Sequence, residues 1–185
     1  MDYAVDEFGF DVEEAQRRLS AGDSQFNRHV YVRSLFSYYE AFGCVVRQFL
    51  IESQRKKIAL GKEVNLDRFY LLQEDFPTVG KNGKIEAKDQ RTSFANQFSF
   101  TLKEFADLVG VSAHIFGDSG WETTQKALKI RDRLTHPKVK EDSLASDEDM
   151  EICRKGYGWL AGLIAVQFKE AANKSFKADA LHARP

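Results

Sequence analysis

The chain has 185 residues, of which 43 % are hydrophobic and 30 % charged, and its formal net charge is −1. These values are typical of a globular protein, and they predict a single domain over 1–185. The near-neutral charge argues against a protein that coats nucleic acid by bulk electrostatics, so any contact with RNA or DNA must be local. No apolar run is long enough to span a bilayer, and the acidic start does not resemble a secretory signal. We expect a cytoplasmic protein with no membrane partner.

The cysteine and histidine residues give no sign of a metal centre. Cys44 and Cys153 lie far apart in apolar helical patterns, which predicts small buried side chains. No histidine has companions at metal-ligand spacing. The sequence therefore predicts neither a metal nor a cofactor.

The N-terminal half of the chain predicts one short and one long helix. Asp11 is a good N-cap and Gly22 a stop, so a first helix is predicted over 11–21, within an N-terminal helical arm over 1–26. From Asn27 to about Lys57 the apolar residues recur at steps of three and four, which indicates a long amphipathic helix. Its predicted buried face consists of Leu35, Tyr39, Phe42, Val46, Phe49 and Leu50.

Residues 60–88 predict a connection with a small helix at 66–73 and an exposed turn, because glycine, proline and asparagine recur there. No segment alternates with period two, so no strand is expected. A second main helix is predicted over 91–109, with core candidates Phe94, Phe98 and Phe105, and with Gly110 as its stop.

The C-terminal half predicts two further helices. Ser119 and Glu122 form a capping box, and Pro137 predicts that this helix ends at Thr135 or His136. Ser146 begins the last helix, which is expected to reach about Phe176 and to leave a frayed tail over 177–185. The predicted fold is all-α, an antiparallel bundle of about four principal helices with short additional helices.

The candidate site is the segment KIRDRLTHPK, on the last turn of the helix that ends before Pro137. Arg131 and His136 are five positions apart, about 500° of rotation on a regular helix, so they share a face only if the helix unwinds. Pro137 disfavours the α conformation at His136 and so favours unwinding there. A guanidinium beside an imidazole offers a fixed cation for a phosphate and a group that exchanges protons near neutrality.

This segment resembles the signature of the HEPN family, helical domains that bind nucleotides or cleave RNA. The resemblance rests on Arg131-Asp132-Arg133-Leu134-Thr135-His136, and on Glu40 in the earlier long helix. Asp132 stands where the family often has asparagine. The resemblance covers about 27–176 as a pattern of long helices around the motif.

The resemblance implies a metal-independent endoribonuclease that acts as a homodimer, with the 2′-hydroxyl attacking the adjacent phosphorus. It implies that His136 is a general acid or base and that Arg131 stabilises the phosphorane, while Asp132 and Glu40 orient them. RNA is the implied partner, with an antitoxin or other regulatory protein, as in toxins and defence effectors. Lys129, Arg133 and Lys138 are candidates for substrate binding through local positive potential. Tyr39 is a candidate for stacking on a base.

Two other interpretations stay open. In the first, the domain is a non-catalytic helical module that binds a nucleotide or a protein. In the second, it is a purely structural or oligomeric bundle in which Arg131 neutralises a buried Glu40. Independently of these two, Arg131 and His136 have a plain structural explanation, as cations that cap a helix C-terminus. Glu40 is either a solvated position or the partner of a core arginine such as Arg47 or Arg131, and its apolar neighbours favour a partner.

Overall fold

The structure, a computed structural model, describes residues 2–73, 75–89, 92–110 and 118–182. The side chains at 2–6, 75–77, 87–89, 168 and 171–182 lie outside this description. The fold is all-α, as predicted, with one small sheet in addition. The elements in the described ranges are α1 (Asp2–Ala21), α2 (Gln25–Ala59), α3 (Leu66–Leu71), β1 (Asp75–Val79), β2 (Ile85–Asp89), α4 (Phe94–Val109), α5 (Ser119–Thr135), a 3₁₀ helix (Lys140–Ser143) and α6 (Asp147–His182).

The chain divides into two compact units, which are described separately. The first unit consists of residues 1–42 and 106–185, and the second of residues 43–105. The first unit therefore holds α1, the first half of α2, and the helices α5 and α6. The second unit holds the rest of α2, α3, the sheet and most of α4.

In the first unit, α2, α5 and α6 contact one another. α5 and α6 run antiparallel, since Thr124 near the start of α5 donates to the carbonyl of Gly156 while Arg133 at its end pairs with Asp149. α2 runs in the same direction as α6, since Arg28 binds Asp147 and Tyr39 lies against Tyr157 farther along. The neighbours α5 and α6 thus meet the predicted antiparallel arrangement, whereas α2 and α6 are parallel.

The N-terminal helix is longer than predicted. α1 begins at Asp2 and not at Asp11. Its residues Val12, Ala15 and Leu19 are buried, which a helix with one apolar stripe achieves by packing against a neighbour. The predicted arm over 1–26 is therefore an amphipathic helix with a buried face, followed by a short turn and the first residues of α2.

In the second unit, α4 supplies much of the core. Phe98, Leu102 and Phe105 are buried at intervals of three and four residues, as predicted. Gly110 ends the helix with a φ of 73°, a left-handed conformation that glycine adopts without strain. The small helix expected within 66–73 is α3, which Asn65 caps by accepting from the backbone N–H of Arg68.

The prediction that the chain contains no strand is wrong. β1 and β2 form an antiparallel hairpin in which Val79 pairs with Ile85. The backbone N–H of Gly83 donates to the carbonyl of Gly80, and the N–H of Gly80 donates to the carbonyl of Lys84. Gly83 ends this tight turn in a left-handed conformation, with a φ of 69°. The Asn-Gly dipeptide was the available signal, but the strands are too short to show a period.

Other differences concern single side chains and the C-terminus. Cys44 is exposed, so only Cys153 is buried as predicted. Phe49 is 45 % exposed and is not part of the buried face of α2. α6 continues past Phe176 to His182, so the tail predicted over 177–185 is helical through 182, and 183–185 lie outside the described residues.

Candidate functional site

The candidate site lies at the C-terminal end of α5, where the sequence predicted it. The helix ends at Thr135, and His136 is its C-cap, with φ −127° and ψ 60°. The backbone N–H of His136 still donates to the carbonyl of Asp132 at 2.9 Å. The unwinding that Pro137 imposes at the preceding residue is therefore present.

The start of α5 is one residue earlier than predicted. Asp118, and not Ser119, is the N-cap, and its carboxylate accepts from the backbone N–H of Trp121 at 2.9 Å. The same carboxylate accepts from the indole N–H of Trp159 on α6 at 3.1 Å. The cap thus also fixes α5 against α6, and a carboxylate competes well with a hydroxyl for this position.

Arg131 is held by two carboxylates. Its Nη2 donates to Glu40 Oε1 on α2 at 2.5 Å, and its Nη1 donates to Asp132 Oδ1 at 3.0 Å. The predicted partnership of Glu40 with an arginine is therefore confirmed, with Arg131 as the partner. The side chains of Arg131 and Glu40 are 28 % and 43 % exposed, so the pair is reachable from solvent. The interpretation in which Glu40 is a buried carboxylate is wrong.

His136 presents its imidazole to solvent. The residue is exposed, and within the described ranges its ring takes part in no hydrogen bond or ion pair. Lys129 and Lys138 are exposed as well, and Asp132 is 65 % exposed. The end of α5 therefore carries a partly exposed guanidinium, an imidazole open to solvent and two lysines, together with the carboxylates that orient the guanidinium.

Tyr39 does not have the exposure that its predicted role requires. Its exposed fraction is 2 %, and its ring packs against Phe36, Tyr38 and Tyr157 at centroid distances of 5.6, 6.2 and 5.8 Å. Burial raises the pKa of its hydroxyl. A base cannot stack on a ring that is covered in this way, so the prediction for Tyr39 is wrong.

Arg133 is used inside the protein. Its Nη1 donates to the carbonyls of Asp142 and Leu144, each at 2.9 Å, and its Nη2 donates to Asp149 Oδ2 at 2.7 Å. These bonds tie the end of α5 to the connection that follows it and to the first turn of α6. These internal contacts occupy Nη1 and Nη2, which argues against the predicted role of Arg133 in substrate binding.

Sequence reasoning missed the residues that fix the α5–α6 connection, residues 136–146. The carbonyl of Ser143 accepts from His29 Nε2 at 2.7 Å, and the carbonyl of Ala145 accepts from Gln25 Nε2 at 3.0 Å and Arg28 Nη1 at 2.7 Å. With the two bonds from Arg133, four consecutive carbonyls, 142–145, are bound by side chains. The available signal was the row of polar side chains at the start of α2, Gln25, Arg28 and His29, which can donate hydrogen bonds to a neighbouring segment.

The carboxylate of Asp149 closes this network. Burial disfavours its charge, but hydrogen bonds from the backbone and side chain of Ser146, with the contact to Arg133, outweigh burial and hold its pKa below the ordinary value of an aspartate. Ser146 is the N-cap of α6, as predicted, since its hydroxyl accepts from the N–H of Asp149. Asp149 is therefore ionised at neutral pH. By accepting from Arg133 and Ser146 it links the end of α5 to the end of the α5–α6 connection.

No three side chains among the His, Cys, Asp and Glu residues of the described part of the chain are grouped so that they could hold a metal ion. Across 2–73, 75–89, 92–110 and 118–182, no helix has both the length and the apolar character needed to cross a bilayer.

Comparison of the chain with protein-family models finds no match, and comparisons with curated proteins and with solved structures find none either.

Proposed function

We propose that the protein is a metal-independent endoribonuclease of the HEPN type, with Arg131 and His136 as its catalytic residues. The observation that supports the proposal is the end of α5, where an oriented, partly exposed guanidinium lies in the last turns of the helix and an exposed imidazole lies at its C-cap. A short polar motif that merely caps a helix would not need a carboxylate from another helix to orient its arginine.

The proposed reaction breaks one phosphodiester bond. The 2′-oxygen of the substrate forms a bond to the adjacent phosphorus, and the bond from phosphorus to the 5′-oxygen of the next nucleotide breaks. His136 takes the proton of the 2′-hydroxyl or gives a proton to the leaving 5′-oxygen. The products are a cyclic phosphate and a 5′-hydroxyl. Arg131 stabilises the charge that builds up on the phosphorane oxygens.

Glu40 and Asp132 orient Arg131 in this scheme. Both bonds come from Nη atoms, so Nε and the remaining Nη hydrogens are available for a phosphate. Lys129 and Lys138 add positive potential at the same end of the helix. A homodimer would bring a second His136 to the scissile phosphate, so that one imidazole acts as base and the other as acid.

The biological setting of the proposal is a toxin or defence effector controlled by a regulatory protein such as an antitoxin. A nuclease with an exposed site and a neutral chain would need such control, because RNA is abundant in the compartment where the protein is expected to work. Co-expression of a candidate regulator should lower cleavage in proportion to complex formation.

His136→Ala tests the enzyme proposal directly. We expect loss of RNA cleavage, with helical content and melting temperature unchanged because the imidazole is exposed. Exogenous imidazole should restore part of the activity, and wild-type cleavage should leave cyclic phosphate ends and persist in EDTA. Gln125→Ala, at another exposed position of α5, is the matched control. A His136→Ala variant that cleaves at the wild-type rate would remove the enzyme proposal.

One observation favours a second candidate, a non-catalytic helical module that binds a nucleotide or a protein. Two carboxylates on Arg131 neutralise its charge, so an incoming phosphate must compete with them. Such exposed pairs contribute only about 1 kcal/mol, which a charged ligand can offset. If the wild-type chain binds RNA or nucleotide but leaves RNA intact at every concentration, the second candidate is favoured.

A further inference from the structure

The first turns of α2 carry exposed groups that the proposed reaction does not use. Phe26 is 71 % exposed although it is a large aromatic residue. Arg33 is exposed, and no residue in the described ranges forms an ion pair or hydrogen bond with its side chain. Phe26 and Arg33 lie two turns apart on α2, about 10 Å along its axis, so an aromatic ring and an unpaired guanidinium are both available to an extended ligand.

These two residues border a pocket of about 390 Å³. It is lined by Gln25, Phe26, His29, Val30, Arg33, Ser143 and Leu144. Among these residues there is no aspartate or glutamate, whereas the neighbouring pocket at the start of α6 includes Glu141, Asp147 and Asp149. The second pocket also contains Arg28 and Arg133, but these pair with Asp147 and Asp149. In the first pocket Arg33 meets no carboxylate among the lining residues, which favours an anionic ligand there.

The pocket lies in line with the candidate site. Phe26, Arg33 and Glu40 are spaced by seven residues along α2, and seven residues complete two turns to within about 20°. The three side chains therefore share one face of the helix. Glu40 binds Arg131, and Arg33 and Phe26 follow at about 10 and 21 Å along the axis. A few nucleotides of an extended strand cover such a distance.

We propose that this pocket is a second contact site for single-stranded RNA, where Phe26 stacks on a base and Arg33 binds a backbone phosphate. The inference rests on the proposed function in that it takes RNA as the substrate. Val30 and Leu144 provide an apolar floor for the base, and Leu144 is 49 % exposed. Stacking on an aromatic ring together with a cation on the backbone is the general means by which proteins hold single strands.

The test measures binding apart from cleavage. The probe is a short fluorescent 2′-O-methyl oligoribonucleotide, which has no free 2′-hydroxyl to attack, and binding to the full chain is followed by anisotropy. Phe26→Ala and Arg33→Ala should each weaken binding roughly tenfold. Arg33→Ala should also reduce the dependence of binding on salt by about one phosphate contact, and Arg33→Lys should restore most of it.

Arg17→Ala is the matched control, because it removes the same charge from an exposed arginine of α1, which is bound to Glu14. Binding by this control should equal that of the wild type. On cleavable RNA, Arg33→Ala should raise KM and leave kcat unchanged, which separates the pocket from the catalytic residues.

Three results would overturn the inference. The first is wild-type affinity for the oligonucleotide in both Phe26→Ala and Arg33→Ala. The second is an equal loss of affinity in Arg17→Ala, and the third is that the wild-type chain binds an acidic peptide but not the oligonucleotide. Failure of the enzyme proposal is distinct: if the chain cleaves no RNA but binds the probe through Phe26 and Arg33, the pocket stands without the nuclease.

Discussion

Arg131 and Arg133 lie two positions apart on α5, and replacing each by alanine should separate catalysis from stability. Arg131→Ala removes contacts to Glu40 and Asp132, whose side chains are 43 % and 65 % exposed. Ion pairs with this exposure contribute little, so we expect a loss of about 1 kcal/mol in the free energy of unfolding. A fully buried pair would have cost about 3 to 5 kcal/mol.

Arg133→Ala should destabilise the protein more, although it lies outside the proposed catalytic pair. It removes bonds to two carbonyls and to Asp149, whose side chain is only 17 % exposed. Leaving these acceptors without their charged donor should cost about 2 to 4 kcal/mol. In a chain of this size the two losses correspond to falls of about 3 and 9 °C in melting temperature.

Urea unfolding followed by circular dichroism, with RNA cleavage measured on the same preparations, checks both parts. Arg131→Ala should lose cleavage at nearly wild-type stability, and Arg133→Ala should retain cleavage below its lowered melting temperature. A double-mutant cycle with Glu40→Ala should give a coupling energy of about 1 kcal/mol or less. A loss above about 3 kcal/mol for Arg131→Ala would mean that the pair is structural, and our reasoning on the site would be refuted.

Three further changes test the core and the contacts between α5 and α6. Gly120→Ala should destabilise the protein by about 1 to 3 kcal/mol, measured in urea, because a methyl group there would overlap the indole of Trp159; unchanged stability would show that the ring moves freely. Asp149→Asn should cost about 1 to 2 kcal/mol at neutral pH. Because the pKa of this carboxyl is lowered in the folded protein, the difference should shrink as pH falls below 3.8, and a difference that grows in acid would contradict the assignment. Leu160→Ala should cost about 2 to 5 kcal/mol, since Leu160 is 0 % exposed, and a smaller loss by thermal unfolding would contradict its place in the core.

The helices could be predicted because their signals are local. The apolar steps of three and four in α2 and α4, Gly110 after α4 and Pro137 after α5 each act within a few residues. The end of α5 at Thr135 and the start of α6 after Ser146 were predicted for this reason. The same reasoning placed Glu40 with an arginine, because a carboxylate among apolar neighbours needs a cation.

The features that were missed depend on distant residues. The covering of Tyr39 by Tyr157 and the capture of Ala145 by Gln25 join positions more than a hundred residues apart. The periodicity of apolar residues does not show which aromatic ring on a helix face is buried and which is exposed at a cleft. The hairpin was not predicted because a short strand that contains Pro77 lacks the alternating pattern on which strand prediction depends.

The four side-chain-bound carbonyls of 142–145 have a consequence for engineering. Surface linkers between helices usually tolerate added residues, but here each extra residue would displace acceptors that Gln25, Arg28, His29 and Arg133 have to meet. An epitope tag or a reporter domain is better placed in the hairpin turn around Asn82, whose neighbours are exposed. Keeping the length of this connection unchanged also keeps His136 at a constant distance from the start of α6.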